Sequence, residues 1–427
     1  MKPIHLTTAF ALAASAALGV GTIQTAQAAT LKMECGATGN DRAFCDYVEQ
    51  RFTEATGHDL EFVELPNSSS EKLGLFQQIF ASGQSGVVDV FQADVVWPGI
   101  LAPHMLDLSD GLGDLEPHFF PGAWQNNVID GELKAVPGLI DTGLLFYRTD
   151  LLDQYNEQPP QTWAEMERIA RKIQAAEREA GHDNFWGLVF QGKAYEGLTC
   201  NALEWVSSHN GGTLVNADGE ITINNAGAAE GLDMAAGWIG DIAPRGVMGY
   251  QEEESRAVFQ NGDALFMRNW PYAYLLAQDE GSPVKGKVGI VPLPKASGDG
   301  QHAAALGGWQ WAVSRYTDHP DAAKALVRIL ADAETQTQRF LMTGVSPARK
   351  DVYDDPRILD KAPYMSELLS VFEAAIARPA SPTGDNYARV SNAFYNAAFA
   401  VLNGEMSGEK AVADLERRLA RIKRNAW

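Results

Sequence analysis

From residue 31 onward, short β-rich runs alternate with segments whose apolar residues recur at helical spacing, and this alternation restricts the chain to layered α/β architectures. Residues 31–34 read as a strand, and residues 41–55 as a helix with Phe44, Val48 and Phe52 on one face and Gly57 past its end. Residues 59–65 alternate like a second strand. Ser68-Ser69-Ser70-Glu71 is a capping box opening a helix that lines up Leu73, Phe76 and Phe80, and residues 87–91 form a buried strand. Thr162-Trp163-Ala164-Glu165 opens another capped helix through Met166, Ile169 and Ile173, followed by Gly181 and a strand at 187–190. The fold class is α/β, with largely parallel sheets expected.

The chain has 427 residues, of which 45% are hydrophobic and 21% charged, enough to bury two cores of ordinary domain size. Extended segments carrying Pro and Gly at 136–143 and at 288–294 ("VGIVPLP") are the candidate crossings between two domains, and 319–340 and 389–424 read as helical. A chain that crosses more than once cannot be cut into independent pieces. The net charge of -21 sets a negative field that repels phosphate backbones and anionic lipid, which excludes nucleic acid as a partner.

Residues 1–28 combine Lys2, an alanine-rich apolar run over 10–20 and Ala26-Gln27-Ala28, the pattern of a secretory signal peptide cleaved after Ala28. No later stretch reaches the ~18 uncharged apolar residues of a membrane span, so a soluble exported protein is expected. An oxidising compartment permits one bridge among Cys35, Cys45 and Cys200, and Cys35 with Cys45, close in sequence, is the preferred pair. The eight histidines are scattered and form no metal-ligand cluster, so neither a metal nor a cofactor is expected.

Several chemistries lack their signatures. Ser82-Gly83-Gln84-Ser85-Gly86 misses the first glycine of a nucleophile elbow, and Val288 stands where a phosphate-binding loop beginning at Gly281 needs a hydroxyl. Asp94 and Asp141 each follow an apolar strand-like run, where an open α/β sheet presents its ligand site. They suit an acid and base pair of a glycosidase, or a helix cap and a turn residue. Trp97, Trp270 and Trp309 sit in Gly, Pro and Asn surroundings, whereas Trp238 and Trp311 read as core. Indole faces stack on the C–H faces of sugar rings while carboxylates and arginine bind the hydroxyls.

With "DVVW" at 94–97, "PGLIDTGLLFYR" at 137–148, "FWGLVFQGKAYEGLTC" at 185–200, "RNWPYAY" at 268–274, "SPVKGKVGIVPLP" at 282–294 and "LGGW" at 306–309, the chain closely resembles the extracellular solute-binding proteins of sugar ABC importers, and among them the trehalose/maltose-binding proteins. The resemblance implies two hinged lobes around a cleft, no catalysis, a periplasmic location, and delivery of a sugar to permease subunits by a monomeric receptor. It assigns ligand contacts to Asp41, where relatives often have Glu, and to Asp94, Asp141, Trp270, Tyr272, Gly308, Trp309 and Arg378 in "ARPASP". Asn40, Asn67, Ser68 and Trp97 are weaker assignments, and Leu139 stands where a relative has an aromatic residue. By the same resemblance, 29–139 with 292–334 form one lobe and 140–291 with 335–427 the other. The expected ligand is an α-glucoside such as trehalose, maltose or glucosylglycerol. The alternatives are a polyol or other compatible solute on the same fold, and an exported glycoside hydrolase using Asp94 and Asp141.

Overall fold

The computed structural model describes residues 28–36, 41–297, 300–424 and 427; the expected leader and its cleavage region, apart from Ala28, lie outside the described residues. The strands are β1 (Thr30–Cys35), β2 (Asp59–Glu64), β3 (Val90–Asp94), a short hairpin of β4 (Val128–Ile129) and β5 (Glu132–Leu133), β6 (Ala135–Thr142), β7 (Leu144–Arg148), β8 (Trp186–Val189), β9 (Ala264–Asn269), β10 (Val288–Pro292) and β11 (Leu306–Val313). They build a five-stranded sheet in the order β2-β1-β3-β11-β6 and a four-stranded sheet in the order β10-β7-β9-β8, one for each lobe.

The longer helices are α1 (Asp41–Thr56), α2 (Ser69–Ala81), α3 (Trp163–Glu179), α4 (Glu196–Ser208), α5 (Ala226–Trp238), α6 (Glu252–Gln260), α7 (Pro320–Leu330), α8 (Ala333–Thr343), α9 (Tyr387–Leu402) and α10 (Gly408–Lys423). Among the described residues no helix is long and apolar enough to cross a membrane. Local chemistry accounts for the starts and stops: Thr162 and Glu165 close a full capping box on α3, and Gly57 and Gly181 end α1 and the α3 turn at φ +73° and +99°. Ser68 caps α2 by accepting from the Glu71 N–H at 3.4 Å, while the Glu71 carboxylate lies 3.7 Å from Lys193.

The sheets are mixed, which corrects the expectation of largely parallel ones. β1 is parallel to β2 and β3, and β8 to β9, but β11 is antiparallel to both neighbours and β7 to both of its own. The reason is the repeated crossing. β7 and β11 start at the gap between the lobes because the chain has just crossed it, whereas β3, β6, β9 and β10 end there. Carboxyl ends and amino ends of neighbouring strands therefore meet at one cleft. The strand expected at 87–91 is Val90–Asp94, because Asp89 instead accepts from the Lys32 N–H (2.7 Å) and anchors β1.

The chain passes between the sheets at Gly143, where an added Cβ would lie 2.1 Å from Glu204 Oε1, and again between Pro292 and Leu306. Two further passages follow. α8 packs on α1 while its Phe340 joins the second lobe's core. Residues 376–387 pair with Ala305, touch the turn at Gly99 and place Tyr387 in the first lobe's core before α9 returns to the second.

Candidate functional site

The cleft holds a cavity of about 260 Å³ walled by the strand ends of both sheets. Asp41, Asn67, Asp94, Asp141, Trp270, Tyr272, Gly308, Trp309 and Arg378 all line it. Ser68 and Trp97 do not: Ser68 is occupied as the cap of α2, and Trp97 packs edge-on against Trp309 at 5.3 Å. Asn40 lies outside the described residues.

Asp94, the last residue of β3, is a fixed acceptor. Its Oδ2 takes a bond from Ser69 Oγ at 2.7 Å, and its Oδ1 accepts from Arg378 Nη2 at 2.8 Å and from the Val96 N–H at 3.2 Å. Arg378 spends its other terminal nitrogen on Glu196 Oε1 at 2.7 Å, while its buried Nε has no protein partner. Both charges are thus paired out of water, which holds the guanidinium fork in one orientation.

Asp141 is different in kind. It lies near the end of β6 opposite Gly307, and its buried Oδ1 has no protein partner. Burial pushes its carboxyl up to about 8, against the opposing pull of Arg339 and Arg268. Those guanidiniums are directed elsewhere: Arg268 to Glu204 (Nε to Oε2, 2.9 Å) and Arg339 to the Gly138 carbonyl (3.3 Å) and Gln92 (2.9 Å). Burial also lowers Arg339 to about 10, partly offset by Asp41, Asp141 and Glu34. Asp41 opens α1, its carboxylate seated over Gly36, where a Cβ would meet Oδ2 at 2.3 Å. The Cys35–Cys45 bridge, with Cα atoms 6.1 Å apart, ties β1 to α1 on either side of Asp41.

The two tryptophans are each backed by a buried cation. Lys72 Nζ sits 4.3 Å from the Trp309 ring centroid and Arg268 Cζ 4.0 Å from that of Trp270, and each cation has its own acid, Glu34 at 2.6 Å and Glu204. Trp270 Nε1 donates to Glu252 Oε1 (3.3 Å) and Tyr272 to Glu253 Oε1 (2.6 Å), so α6 fixes that wall. Gly307 and Gly308 are required by packing. A Cβ on the first would approach Trp270 Cζ3 to 2.9 Å; the second has φ +142° and would meet the Leu139 carbonyl at 2.6 Å.

The sequence reading did not single out Glu34, Lys72, Ser69, Glu196, Glu252 or Arg339, all of which line the cavity. Nothing local announced them: Lys72 shares a helical face with Phe76, and Glu196 begins a helix that is buried along its whole length, environments that only the fold reveals. The wall carries more carboxylates than cations, with hydroxyl, indole and backbone groups between them. That combination suits a neutral polyhydroxy ligand and disfavours an anion.

Residues 37–337 match the model of the bacterial extracellular solute-binding protein family. A probable ABC transporter-binding protein of Deinococcus radiodurans is 43% identical over 99% of this chain and 98% of its own. Among solved structures, maltose-bound MalE3 of T. maritima superposes with a TM-score of 0.87 at 36% identity, covering 92% of this chain and all of that one. An ABC transporter solute-binding protein of Agrobacterium vitis S4 with bound D-mannitol has a TM-score of 0.79 at 18% identity, over 93% and 99% of the two chains. The two-lobe fold, the cavity where the lobes meet and the family match agree: the chain belongs to the bacterial extracellular solute-binding proteins, which bind a solute and do not transform it.

Proposed function

We propose that the protein is the exported, periplasmic receptor of an ABC sugar importer, binding one α-glucoside of the trehalose, maltose or glucosylglycerol type and presenting it to the permease as a monomer. The observation that carries this reading is a cavity with one cation-backed tryptophan from each side, Trp270 and Trp309, and buried carboxylates between them. In this reading the indoles stack on sugar rings, Asp41, Asp94 and Asp141 bind hydroxyls, and Arg378 donates to a ring or hydroxyl oxygen. Tyr272 and Gly308 complete the wall, and Asn67 is a weaker contact. The maltose in the 36% identical relative supports the ligand class. Lobes built mainly of 29–139 with 292–334 and of 140–291 with 335–427, the stretch 376–387 packing on the first of them, close around the ligand, because the closed form gains contacts that the open form lacks. The hydrolase use of Asp94 and Asp141 falls with the family assignment.

A polyol is the second reading, favoured by Leu139, which lines the cavity where a sugar-stacking aromatic is expected. Calorimetric titration with trehalose, maltose, sucrose, glucosylglycerol, glucose, sorbitol and mannitol decides between them. One-to-one binding of a glucoside is the expected result; heat only from the polyols overturns the glucoside assignment.

A further inference from the structure

We propose that Glu196 is a positioning residue that ties recognition by Arg378 to closure of the lobes, a role that rests on the sugar-receptor reading for its ligand. Glu196 opens α4 in the second lobe, and its backbone N–H donates across the cleft to Ser70 Oγ of α2 at 3.1 Å. Its carboxylate accepts from Arg378 Nη1 (2.7 Å) and Tyr387 on one oxygen and from Ser391 Oγ (2.6 Å) on the other. Arg378 continues to Asp94, and Asp94 to Ser69. An unbroken chain of bonds, Ser391–Glu196–Arg378–Asp94–Ser69, thus runs from α9 in one lobe to α2 in the other, and every member but Ser69 is buried.

The position of Arg378 explains why this chain reports on closure. The segment that carries it lies against the first lobe: Gly384 is within 3.6 Å of a Cβ placed at Gly99, and Tyr387 is part of that lobe's core. Separating the lobes leaves Arg378 with Asp94 and pulls it from Glu196. The cost is moderate because both groups regain water on opening, so the latch is reversible. In the closed form the fork is held by two acids, which fixes the guanidinium in one orientation at the wall of the cavity that Arg378 lines. A ligand that binds Arg378 and Asp94 therefore meets a guanidinium whose orientation exists only while Glu196 is in reach.

The test is Glu196→Gln in the full mature protein, with Tyr387→Phe as a milder second variant and Glu196→Asp as a charge-conserving one. Maltose dissociation is followed by stopped-flow fluorescence, and the radius of gyration without ligand by small-angle scattering. Glu196→Gln is expected to raise the dissociation rate about thirtyfold and to increase the ligand-free radius of gyration, as loss of one partner of a buried charge pair acts mainly on dissociation. Tyr387→Phe is expected to change both in the same direction by less, and Glu196→Asp to recover part of each. A purely structural Glu196 lowers the melting temperature and moves neither reading. Unchanged dissociation and scattering in Glu196→Gln and Tyr387→Phe overturn the proposal. If the unmodified protein binds none of maltose, trehalose and glucosylglycerol, the sugar assignment fails, and the ligand-free scattering comparison still decides the latch.

Discussion

At the residue scale, the cavity's carboxylates divide by environment. Asp94 is ion-paired and hydrogen-bonded, whereas Asp141 keeps a buried oxygen without a partner and has its carboxyl pushed up to about 8 by burial. In the folded state Asp141 holds its proton over a pH range where the unfolded chain has lost it. Each unit of pH between the ordinary carboxylate value and about 8 therefore lowers the stability of the ligand-free protein. Asp141→Asn removes that term: calorimetric melting is expected to show the variant more stable than the parent at pH 7 and equal to it near pH 4. Trp270→Ala and Arg378→Ala are each expected to weaken sugar binding by about 2 kcal/mol or more, as central buried anchors do, with folding retained by circular dichroism. The residues legible in sequence were those in turn-like surroundings, Trp270 beside Pro271 and Trp309 beside Gly308. Glu34, Lys72 and Arg268 were not legible, because a charge inside a strand or on an apolar helix face looks local until its counter-charge is brought from 38 or 64 positions away.

At the element scale, capping and periodicity located α1, α2 and α3 with ends within a few residues, since those signals are local. Strand direction was not local, and there the expectation failed: β11 and β7 run against their neighbours because each begins where the chain has just crossed the cleft. The disulfide belongs to this scale because it joins the last residue of β1 to α1, enclosing the start of the helix that presents Asp41. For a bridge of this short span, the double substitution Cys35→Ser with Cys45→Ser is expected to cost about 2.5 kcal/mol of stability in denaturant titration. Weaker ligand binding is expected to accompany it. Thiol titration of the unfolded, unreduced protein is expected to find one group, Cys200, which is buried in α4 and whose thiol burial pushes up to about 12.

At the scale of the whole molecule, the site is a property of two lobes and not of either. Asp94 and Trp309 come from one sheet, Trp270 follows a strand of the other, and Arg378, assigned by resemblance from "ARPASP", arrives on a late passage that periodicity did not announce. Small-angle scattering with saturating ligand is expected to give a smaller radius of gyration than without it, and an unchanged radius argues against hinged closure. The sequence by itself determined the α/β class, the repeated crossing, the capped helices and the residue types suited to a neutral sugar, because these follow from periodicity, composition and local hydrogen bonding. The tertiary structure alone decided which acid is paired and which is left bare, which face of each tryptophan carries a cation, and how Glu196 reaches Arg378. Those outcomes depend on burial and on contacts between residues far apart in the chain, and neither is encoded in any short window.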